Sequence, residues 1–496
     1  MKKNFLIIGS GISSLTLAVL LLQAGHQVKI LEQHYLPGGY LHCFKRFGFR
    51  FDTGAHYVGA LGDGLPFQKI LKYLGVYHAD DYVALNDENV DSYFFDDWKY
   101  SYSIGYEENI RKLSDDFPSE KEAIAQYFQL VKTSAHSFPT YYFKEDYDQS
   151  VMLKFLEMTL DDVLKNLNIS GKLAEILRAP CVLHGVSPQD VSFGVHSILI
   201  DSIMVSSHGF KNGGEKLADR FVKKIKELGG ELLLSHKVNK IDVENGIVTR
   251  VHCENGSSFA ADEYIAGIHP KLVFDFIGQD KLKPAFRSRL NSINESAPFV
   301  GAYVIMKNNL NINPRSNYYF MPNDIRHSFK DDQLGLDNQF GFCASPLRTY
   351  QAEGLFPLSI HASCPRDFFD HWKGSSKKIT DPDYLAAKEK VFEPLFQRLN
   401  QRFEGFSEAI IEKNYSSNLT NSRFNPSPNG SAYGFYHDQS LTGVRALGPR
   451  THFNNLYLTG QNSLFPGLLG ATISGLRTSG FFTGIKDILR QLQNEL

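Results

Sequence analysis

Two glycines and one carboxylate within residues 7–33 have the spacing of a dinucleotide-binding site. Gly9 and Gly11 stand two positions apart, and Glu32 follows Gly9 by 23 positions. In such sites the first glycine permits a tight turn, the second lets the backbone approach a pyrophosphate, and an acidic residue about 20 positions on accepts hydrogen bonds from a ribose. Ser14 occupies the place of the usual third glycine. Its small side chain weakens the match without blocking the phosphate.

The elements needed to position these residues follow from the same stretch. Residues 5–8 (FLII) are fully apolar, which is typical of a parallel strand covered on both faces. Residues 13–25 have helix-forming composition, and 27–33 (QVKILEQ) predict a second strand. The helix N-terminus at Ser13 and Ser14 would offer unpaired N–H groups to the phosphate. The sequence therefore predicts a strand, glycine turn, helix and strand that together bind a nucleotide.

Composition excludes several classes of protein. The 496 residues are 42% hydrophobic and 21% charged, with 52 basic and 54 acidic residues, so no long-range field attracts nucleic acid. Five cysteines, widely spaced and odd in number, indicate neither a disulfide framework nor a zinc site. The first apolar run passes directly into the glycine turn, and no stretch reaches the ~18 apolar residues of a membrane span. We expect a cytoplasmic protein, with peripheral membrane contact left open.

Residues 36–59, LPGGYLHCFKRFGFRFDTGAHYVG, indicate which dinucleotide is bound. A Gly-Gly doublet at Gly38 and Gly39 and a later F-D-T-G resemble the flavin amine oxidase and phytoene desaturase superfamily, whose members bind FAD with these motifs. The fuller pattern, G-G-x-x-H-x-F and then F-D-T-G-x-H-Y-x-G, is similar to the retinol saturase and carotenoid isomerase branch. The residues that carry this match are His42, Phe44, Asp52, Thr53, Gly54, His56, Tyr57 and Gly59. The resemblance implies FAD contacts at Gln33, Gly38, Gly39 and Tyr40.

Two distant segments continue the resemblance. Residues 209–256 combine a Gly-Gly turn, an amphipathic helix and a strand containing Val238, whose counterpart in similar proteins packs against adenine. The turn residues Asn245 and Gly246 predict a hairpin after that strand. Residues 454–489 give a strand, Gly460 and a glycine-rich turn into a closing helix. Relatives place an acidic residue after that glycine, whereas this chain has Gln461, whose amide can also hydrogen-bond hydroxyl groups. The FAD contacts implied here are Gly460, Gln461, Gly470, Ala471 and Thr472.

The order of these segments, supported by similar stretches at 183–204 and 425–440, predicts an α/β fold. We expect a Rossmann-like FAD-binding domain of the glutathione-reductase type with an inserted α+β substrate domain. Within the substrate domain, residues 148–167 have helical spacing of apolar residues. The expected FAD-binding domain is discontinuous, from 1–75, 205–280 and 448–496, and the substrate domain takes 76–204 and 281–447.

Aromatic residues and histidines supply the candidates near the substrate. Aromatic residues make up 13% of the chain and cluster outside the nucleotide motifs. These clusters are either part of the ordinary hydrophobic core or the lining of an apolar tunnel for a lipophilic molecule. His361 and Cys364 show an HxxC spacing but lack further ligands, so no metal site is predicted. His56 has either a structural or a proton-transfer role, and Tyr433 and His437 are further candidates for catalysis.

The chain shows no Gly-x-Ser-x-Gly, HExxH or paired-carboxylate pattern, so the chemistry belongs to the cofactor. The resemblance implies an FAD-dependent oxidoreductase that saturates an alkene of a lipophilic polyene. Desaturation and cis-trans isomerisation on the same scaffold stay open, as does an amine oxidase. A non-catalytic lipid carrier resembling Rab GDP-dissociation inhibitors is an alternative of another class. We expect a lipophilic small-molecule partner and no nucleic acid; NAD(P)H as external reductant and the oligomeric state are left open.

Overall fold

The computed structural model describes residues 1–54, 56–322, 324–329, 334–336, 339–344, 354–376 and 378–494. Within these residues the strands, numbered in chain order, are β1 Asn4–Ile8, β2 Gln27–Leu31, β3 Cys43–Arg46, β4 Phe49–Asp52, β5 Tyr57–Gly59, β6 Tyr82–Ala84, β7 Asp91–Phe94, β8 Lys99–Tyr102, β9 Ser207–Phe210, β10 Glu231–Leu233, β11 Val238–Glu244, β12 Ile247–Cys253, β13 Ser258–Phe259, β14 Glu263–Ala266, β15 Phe299–Lys307, β16 Asn317–Phe320, β17 Gly341–Ala344, β18 Leu355–Ser363, β19 Ile410–Ser416 and β20 Leu456–Leu458.

The α-helices of the described residues are α1 Ile12–Gln23, α2 Pro66–Tyr73, α3 Tyr106–Asp116, α4 Lys121–His136, α5 Pro139–Tyr142, α6 Gln149–Leu156, α7 Leu160–Asn166, α8 Gly171–Arg178, α9 Phe193–Val205, α10 Glu215–Glu227, α11 Pro270–Ile277, α12 Pro284–Ser292, α13 Pro382–Arg402, α14 Phe406–Ala409, α15 Asn418–Phe424, α16 Gly467–Thr483 and α17 Ile485–Asn494.

A five-stranded parallel sheet, in the order β10-β2-β1-β14-β20, holds the glycine turn. Phe5, Leu6, Ile7 and Ile8 of β1 are all buried, as expected for a central strand covered on both faces. Helix α1 packs against α16 and α10 over this sheet. The sheet takes its strands from the three segments 1–75, 205–280 and 448–496.

A seven-stranded sheet, in the order β19-β15-β18-β17-β16-β7-β8, forms the second large layer. Its neighbours are antiparallel except for β16 and β7, which run parallel. All seven strands come from 76–204 and 281–447. Leu358 and Ile360 of β18 pack in one core with Val391 and Leu395 of α13, so that helix covers one face of the sheet.

Three smaller sheets connect these layers. The hairpin predicted at Asn245 and Gly246 joins β11 to β12, with positive φ at both residues, and β13 adds a third strand. Strands β3 and β4 form a second hairpin. Strand β9 pairs with both β5 and β6, so a strand from 76–204 joins strands of the flanking segments.

Two helical regions are each divided into two helices, where the sequence predicts one continuous helix. The helix predicted within 148–167 divides into α6 and α7, because Thr159 and Asp162 form a capping box that starts a new helix. The closing helix divides into α16 and α17 at Gly484, which has a φ of 83°. Among the described residues, no helix combines the length and the apolar character that crossing a bilayer requires.

Candidate functional site

A cavity of about 1120 Å³ extends from the glycine turn of the parallel sheet to the seven-stranded sheet. Its walls include the start of α1, the end of β2, the middle of α9 and the first turn of α16. Residues from β15, β17 and β18 close the opposite side. The cavity therefore joins the predicted nucleotide site to a wall of aromatic residues. We call the part of this site formed by Gly9, Gly11 and Glu32 the cradle.

The glycine turn leaves the N-terminus of α1 uncovered toward the cavity. Gly9 has a φ of 90°, and a Cβ there would lie 2.7 Å from Ile268 Cγ2, so glycine is required for the turn itself. A Cβ at Gly11 would meet no atom of the described residues within 4 Å. Helix α1 carries neither a side-chain cap nor an acidic residue in its first turn. Its unpaired N–H groups are thus available to an anionic ligand.

Glu32 is held in a fixed orientation at the end of β2. Its Oε2 accepts hydrogen bonds from Ser10 N at 2.8 Å and Ser10 Oγ at 2.6 Å, and its Oε1 accepts one from His34 N at 2.8 Å. Each carboxylate oxygen retains acceptor capacity beyond these bonds. The group is buried yet lines the cavity, as a ribose-binding carboxylate must.

Ser14 lies behind the cradle and not in its wall. A Cβ built at Gly267 would stand 1.9 Å from Ser14 Oγ, so the serine fills the space that Gly267 leaves beside the end of β14. The missing third glycine is therefore compensated by a glycine on a neighbouring element. Sequence spacing gave no signal for this partner.

The C-terminal glycine segment completes the cradle. The backbone N–H of Gly460 donates to Ser474 Oγ at 3.0 Å, and Ser13 Oγ lies 2.6 Å from Thr459 Oγ1, which ties α1 to the residue after β20. Thr472 is not among the residues that line the cavity, and its hydroxyl donates to the carbonyl of Leu468 at 2.8 Å within α16.

Most of the residues proposed from the sequence converge on this cavity. The expected FAD contacts that line it are Gly9, Gly11, Ser13, Glu32, Gln33, Gly38, Gly39, Tyr40, Val238, Gly460, Gln461, Gly470 and Ala471, and the catalytic candidates that line it are His56 and Tyr433. Ser14, Thr472 and His437 are not among its lining residues.

The side of the cavity opposite the cradle is apolar and aromatic. Phe299, Phe340 and Phe342 contribute to it, together with Tyr319. Most residues of the aromatic clusters noted in the sequence, such as Tyr141 and Phe369, instead belong to the ordinary core. Among the described residues that line the cavity, Glu32 is the only carboxylate.

The three catalytic candidates differ in their surroundings. Burial lowers the pKa of His56, whose ring centroid lies 5.0 Å from that of His361. Burial lowers the pKa of His437 to about 4. Burial raises the pKa of Tyr433, whose hydroxyl donates to the carbonyl of Val182 at 3.3 Å. Both histidines are therefore neutral near pH 7.

Two buried groups were not among the site residues predicted from the sequence. Asp91 accepts a hydrogen bond from the Tyr57 hydroxyl at 2.9 Å and lies just behind the cavity wall. Cys181, His184 and His196 have ligand-type atoms within 4.8 Å of one another, and His184 Nε2 lies 3.3 Å from His196 Nδ1. Single histidines and acids distant in sequence carry no spacing signal, so neither group was predictable.

The residues present fit FAD. The cradle has room at Gly11 for a pyrophosphate, and Glu32 is oriented for a ribose. The Tyr40 hydroxyl and Asn425 Nδ2 are buried and have no hydrogen-bond partner in the part of the chain that the structure describes, although both residues belong to the cavity wall. An extended dinucleotide with many polar groups matches such a lining.

The fold and this site define an FAD-dependent oxidoreductase, built on a Rossmann-like FAD-binding domain with an inserted α+β substrate domain. Residues 12–480 match the flavin containing amine oxidoreductase family. The chain belongs to that family.

Similarity to individual proteins agrees with the expected branch. The all-trans-retinol 13,14-reductase of Danio rerio is 24% identical over 523 residues, covering 96% of this chain and 84% of the relative. The chloroplastic prolycopene isomerase of Daucus carota is 23% identical over 497 residues, covering 95% and 78%. A solved structure of putrescine oxidase bound to putrescine has a TM-score of 0.64 at 13% identity, covering 97% of this chain and 99% of that one. The resemblance to retinol saturases and carotenoid isomerases, and the fold class, are confirmed.

Proposed function

We propose that this enzyme saturates a carbon-carbon double bond of a lipophilic polyene. The observation that carries the proposal is the single cavity that joins the dinucleotide cradle to an aromatic wall. The activities for which the two relatives are named, retinol reduction and prolycopene isomerisation, concern substrates of this kind.

Each part of the chain has a role in this proposal. Segments 1–75, 205–280 and 448–496 would bind FAD through Gly11, Glu32 and the other cradle residues. Bound there, FAD supplies hydride transfer. The remaining segments, 76–204 and 281–447, would bind the polyene and exclude water from it.

The charge of the cavity favours a neutral substrate over an amine. Glu32, at the end of β2, is the sole carboxylate among the described lining residues, and Ser10 and His34 already bond to it. Among the described residues, the aromatic side of the cavity, at Phe299, Phe340 and Phe342, thus offers no carboxylate to an ammonium group. It offers apolar area, whose burial contributes roughly 25 cal/mol per Å² to binding.

Three further features belong to the proposal. NAD(P)H would serve as the external reductant. Desaturation and isomerisation are the alternatives that the same cavity would serve. Peripheral contact with a membrane would supply the substrate, because polyenes partition into lipid.

The test begins with the purified protein loaded with FAD and reduced anaerobically with dithionite. We expect added all-trans-retinol to restore the absorbance of oxidised flavin, with a product that carries two additional hydrogen atoms by mass spectrometry. A geometric isomer formed without any flavin oxidation would indicate an isomerase. Reduction of the oxidised enzyme by putrescine, with no response to polyenes, would contradict the proposal.

A further inference from the structure

A buried hydrogen-bond chain reaches the cavity from the seven-stranded sheet. Asp91 and Asn317 are register partners at the first positions of β7 and β16, which run parallel. Asn317 Nδ2 donates to Asp91 Oδ1 at 2.8 Å, and the Tyr57 hydroxyl donates to Asp91 Oδ2 at 2.9 Å. The Tyr57 oxygen also lies 3.3 Å from the Tyr319 hydroxyl. Tyr57 and Tyr319 line the cavity, whereas Asp91, 1% exposed, lies behind them.

Asp91 is able to hold a proton under mild conditions. Burial raises the pKa of its carboxyl to about 6, and the hydrogen bonds from Asn317 and Tyr57 partly oppose this rise. The other titratable groups that face it are the phenols of Tyr93, Tyr102 and Tyr319, and Asp91 contributes to raising the pKa of each. No basic residue is among the described groups that shift the pKa of Asp91.

The geometry decides where that proton resides. Oδ1 faces an N–H group of Asn317, which needs an acceptor, so a proton on Asp91 must be on Oδ2. Protonated Asp91 then donates to the Tyr57 oxygen, and the Tyr57 hydrogen is free to turn toward the cavity. When Asp91 is ionised, the Tyr57 hydrogen is held on the carboxylate instead. Asp91 therefore controls the direction in which Tyr57 donates.

We propose that Tyr57 is the proton donor in the proposed alkene saturation, and that Asp91 is the positioning residue that returns the proton to Tyr57. This inference rests on the proposed function. One alkene carbon receives hydride from the reduced cofactor as the π bond breaks, and the neighbouring carbon receives the proton as the Tyr57 O–H bond breaks. The Asp91 O–H proton restores Tyr57, and water restores Asp91. The electrons come from the external two-electron donor, which is dithionite in the test.

Three other groups that line the cavity, His56, His361 and Tyr433, are poorer donors. His56 and His361 are neutral near pH 7, because burial lowers both pKa values. The Tyr433 hydroxyl donates to a backbone carbonyl, which has no proton to return. Tyr57 differs from Tyr433 in that its hydroxyl hydrogen-bonds to a carboxyl group, Asp91, which can return a proton.

The test compares Tyr57→Phe and Asp91→Asn with a matched control, Tyr141→Phe. Tyr141 is fully buried and, like Tyr57, donates its hydroxyl to a buried carboxylate, Asp201 Oδ2 at 2.9 Å, but it is not among the residues that line the cavity. The FAD content of each purified variant, measured by absorbance, reports on folding.

The first readout is an infrared pH titration of the resting protein without substrate. We expect a carboxylic acid C=O band that disappears with a midpoint near the Asp91 pKa of about 6. Asp91→Asn should lack this band, Tyr57→Phe should shift its frequency and midpoint, and Tyr141→Phe should leave it unchanged. A band that survives Asp91→Asn and has the same midpoint would overturn the role of Asp91.

The second readout is the rate at which retinol reoxidises the dithionite-reduced enzyme. We expect Tyr57→Phe to lower this rate on the order of a hundredfold with unchanged retinol affinity, as loss of a general acid does. The wild-type rate should fall as pH rises above about 6, and Asp91→Asn should remove that dependence. A wild-type rate in Tyr57→Phe would overturn the inference alone. A wild-type enzyme that reduces no polyene would overturn the proposed function, and with it the role of Tyr57.

Discussion

At the residue scale, Gly9 and Gly11 differ in what a methyl group would meet. Gly11→Ala adds a Cβ where no atom of the described residues lies within 4 Å, and Gly11 does not have a positive φ. We expect the free energy of unfolding of the FAD-free protein to change by less than about 1 kcal/mol. FAD affinity, measured by fluorescence titration, should fall at least tenfold, because the Cβ occupies the space of the pyrophosphate.

The neighbouring Gly9→Ala variant is the contrasting control. Its Cβ would lie 2.7 Å from Ile268 Cγ2 at a φ of 90°, so the folded protein itself should be destabilised. Equal FAD affinity in Gly11→Ala and wild type would show that the dinucleotide does not approach this turn.

Asp91 also makes the stability of the protein depend on pH. Its folded pKa of about 6 lies above the ordinary value of 3.8, so the carboxyl contributes stability below the ordinary pKa and loses it as pH rises through 6. The shift corresponds to about 3 kcal/mol. Between pH 4 and pH 7, we expect the wild-type protein to lose about that much unfolding free energy relative to Asp91→Asn, which has no carboxyl group to ionise at this position. Urea unfolding of both proteins at several pH values measures this change. The same dependence of unfolding free energy on pH in both proteins would contradict the prediction.

Residue types predicted the cofactor side of the site better than the substrate side. Gly9, Gly11 and Glu32 act through short-range backbone geometry, which their spacing records. Asp91 contacts both Asn317 and Tyr57, and it meets Asn317 only because two strands far apart in sequence pair in parallel. No local pattern encodes such pairing.

At the element scale, the contact between α1 and the end of β14 depends on Ser14 and Gly267. Gly267→Ala would place a methyl group 1.9 Å from Ser14 Oγ. We expect this variant to lose about 2 kcal/mol or more of unfolding free energy by overpacking. Ser14→Ala should be nearly neutral, since the Ser14 hydroxyl is buried without a hydrogen-bond partner among the described residues.

The double variant, Ser14→Ala with Gly267→Ala, completes the cycle. The Ser14 Cβ would stand 3.3 Å from the new methyl group, which a small shift can accommodate. We expect the double variant to recover about half of the loss or more, a coupling within the usual range of about 0.5–3 kcal/mol for neighbours. Strictly additive effects in urea unfolding would show that the two side chains do not meet.

The sequence predicts the elements that have strong local signals. It does not predict where a side-chain cap divides one helix from the next. The apolar β1, the helix α1 and the Asn245-Gly246 hairpin follow from period, composition and turn residues. The division of α6 from α7 depends on the Thr159 and Asp162 capping box, which lies inside a continuous helical pattern. A cap of this kind overrides the period of the apolar residues.

At the scale of the whole molecule, the parallel sheet combines strands from three segments that are far apart in the chain. Their order along the sheet depends on parallel pairing over long sequence separations, which periodicity alone does not specify. The family resemblance supplied the three segments, and their pairing places Gly11, Val238 and Gln461 on one cavity. A ligand in that cavity contacts all three segments at once.

FAD binding should therefore protect the three segments together. We expect amide hydrogen exchange to slow on FAD addition at the start of α1, at the start of β11 and at the first turn of α16. The unfolding free energy should rise by about 2.7 kcal/mol when free FAD is 100 times its dissociation constant. Gly11→Ala at the same FAD concentration is the control and should show weaker protection in all three segments. Protection confined to α1 and its flanking strands would contradict a cofactor site assembled from the whole chain.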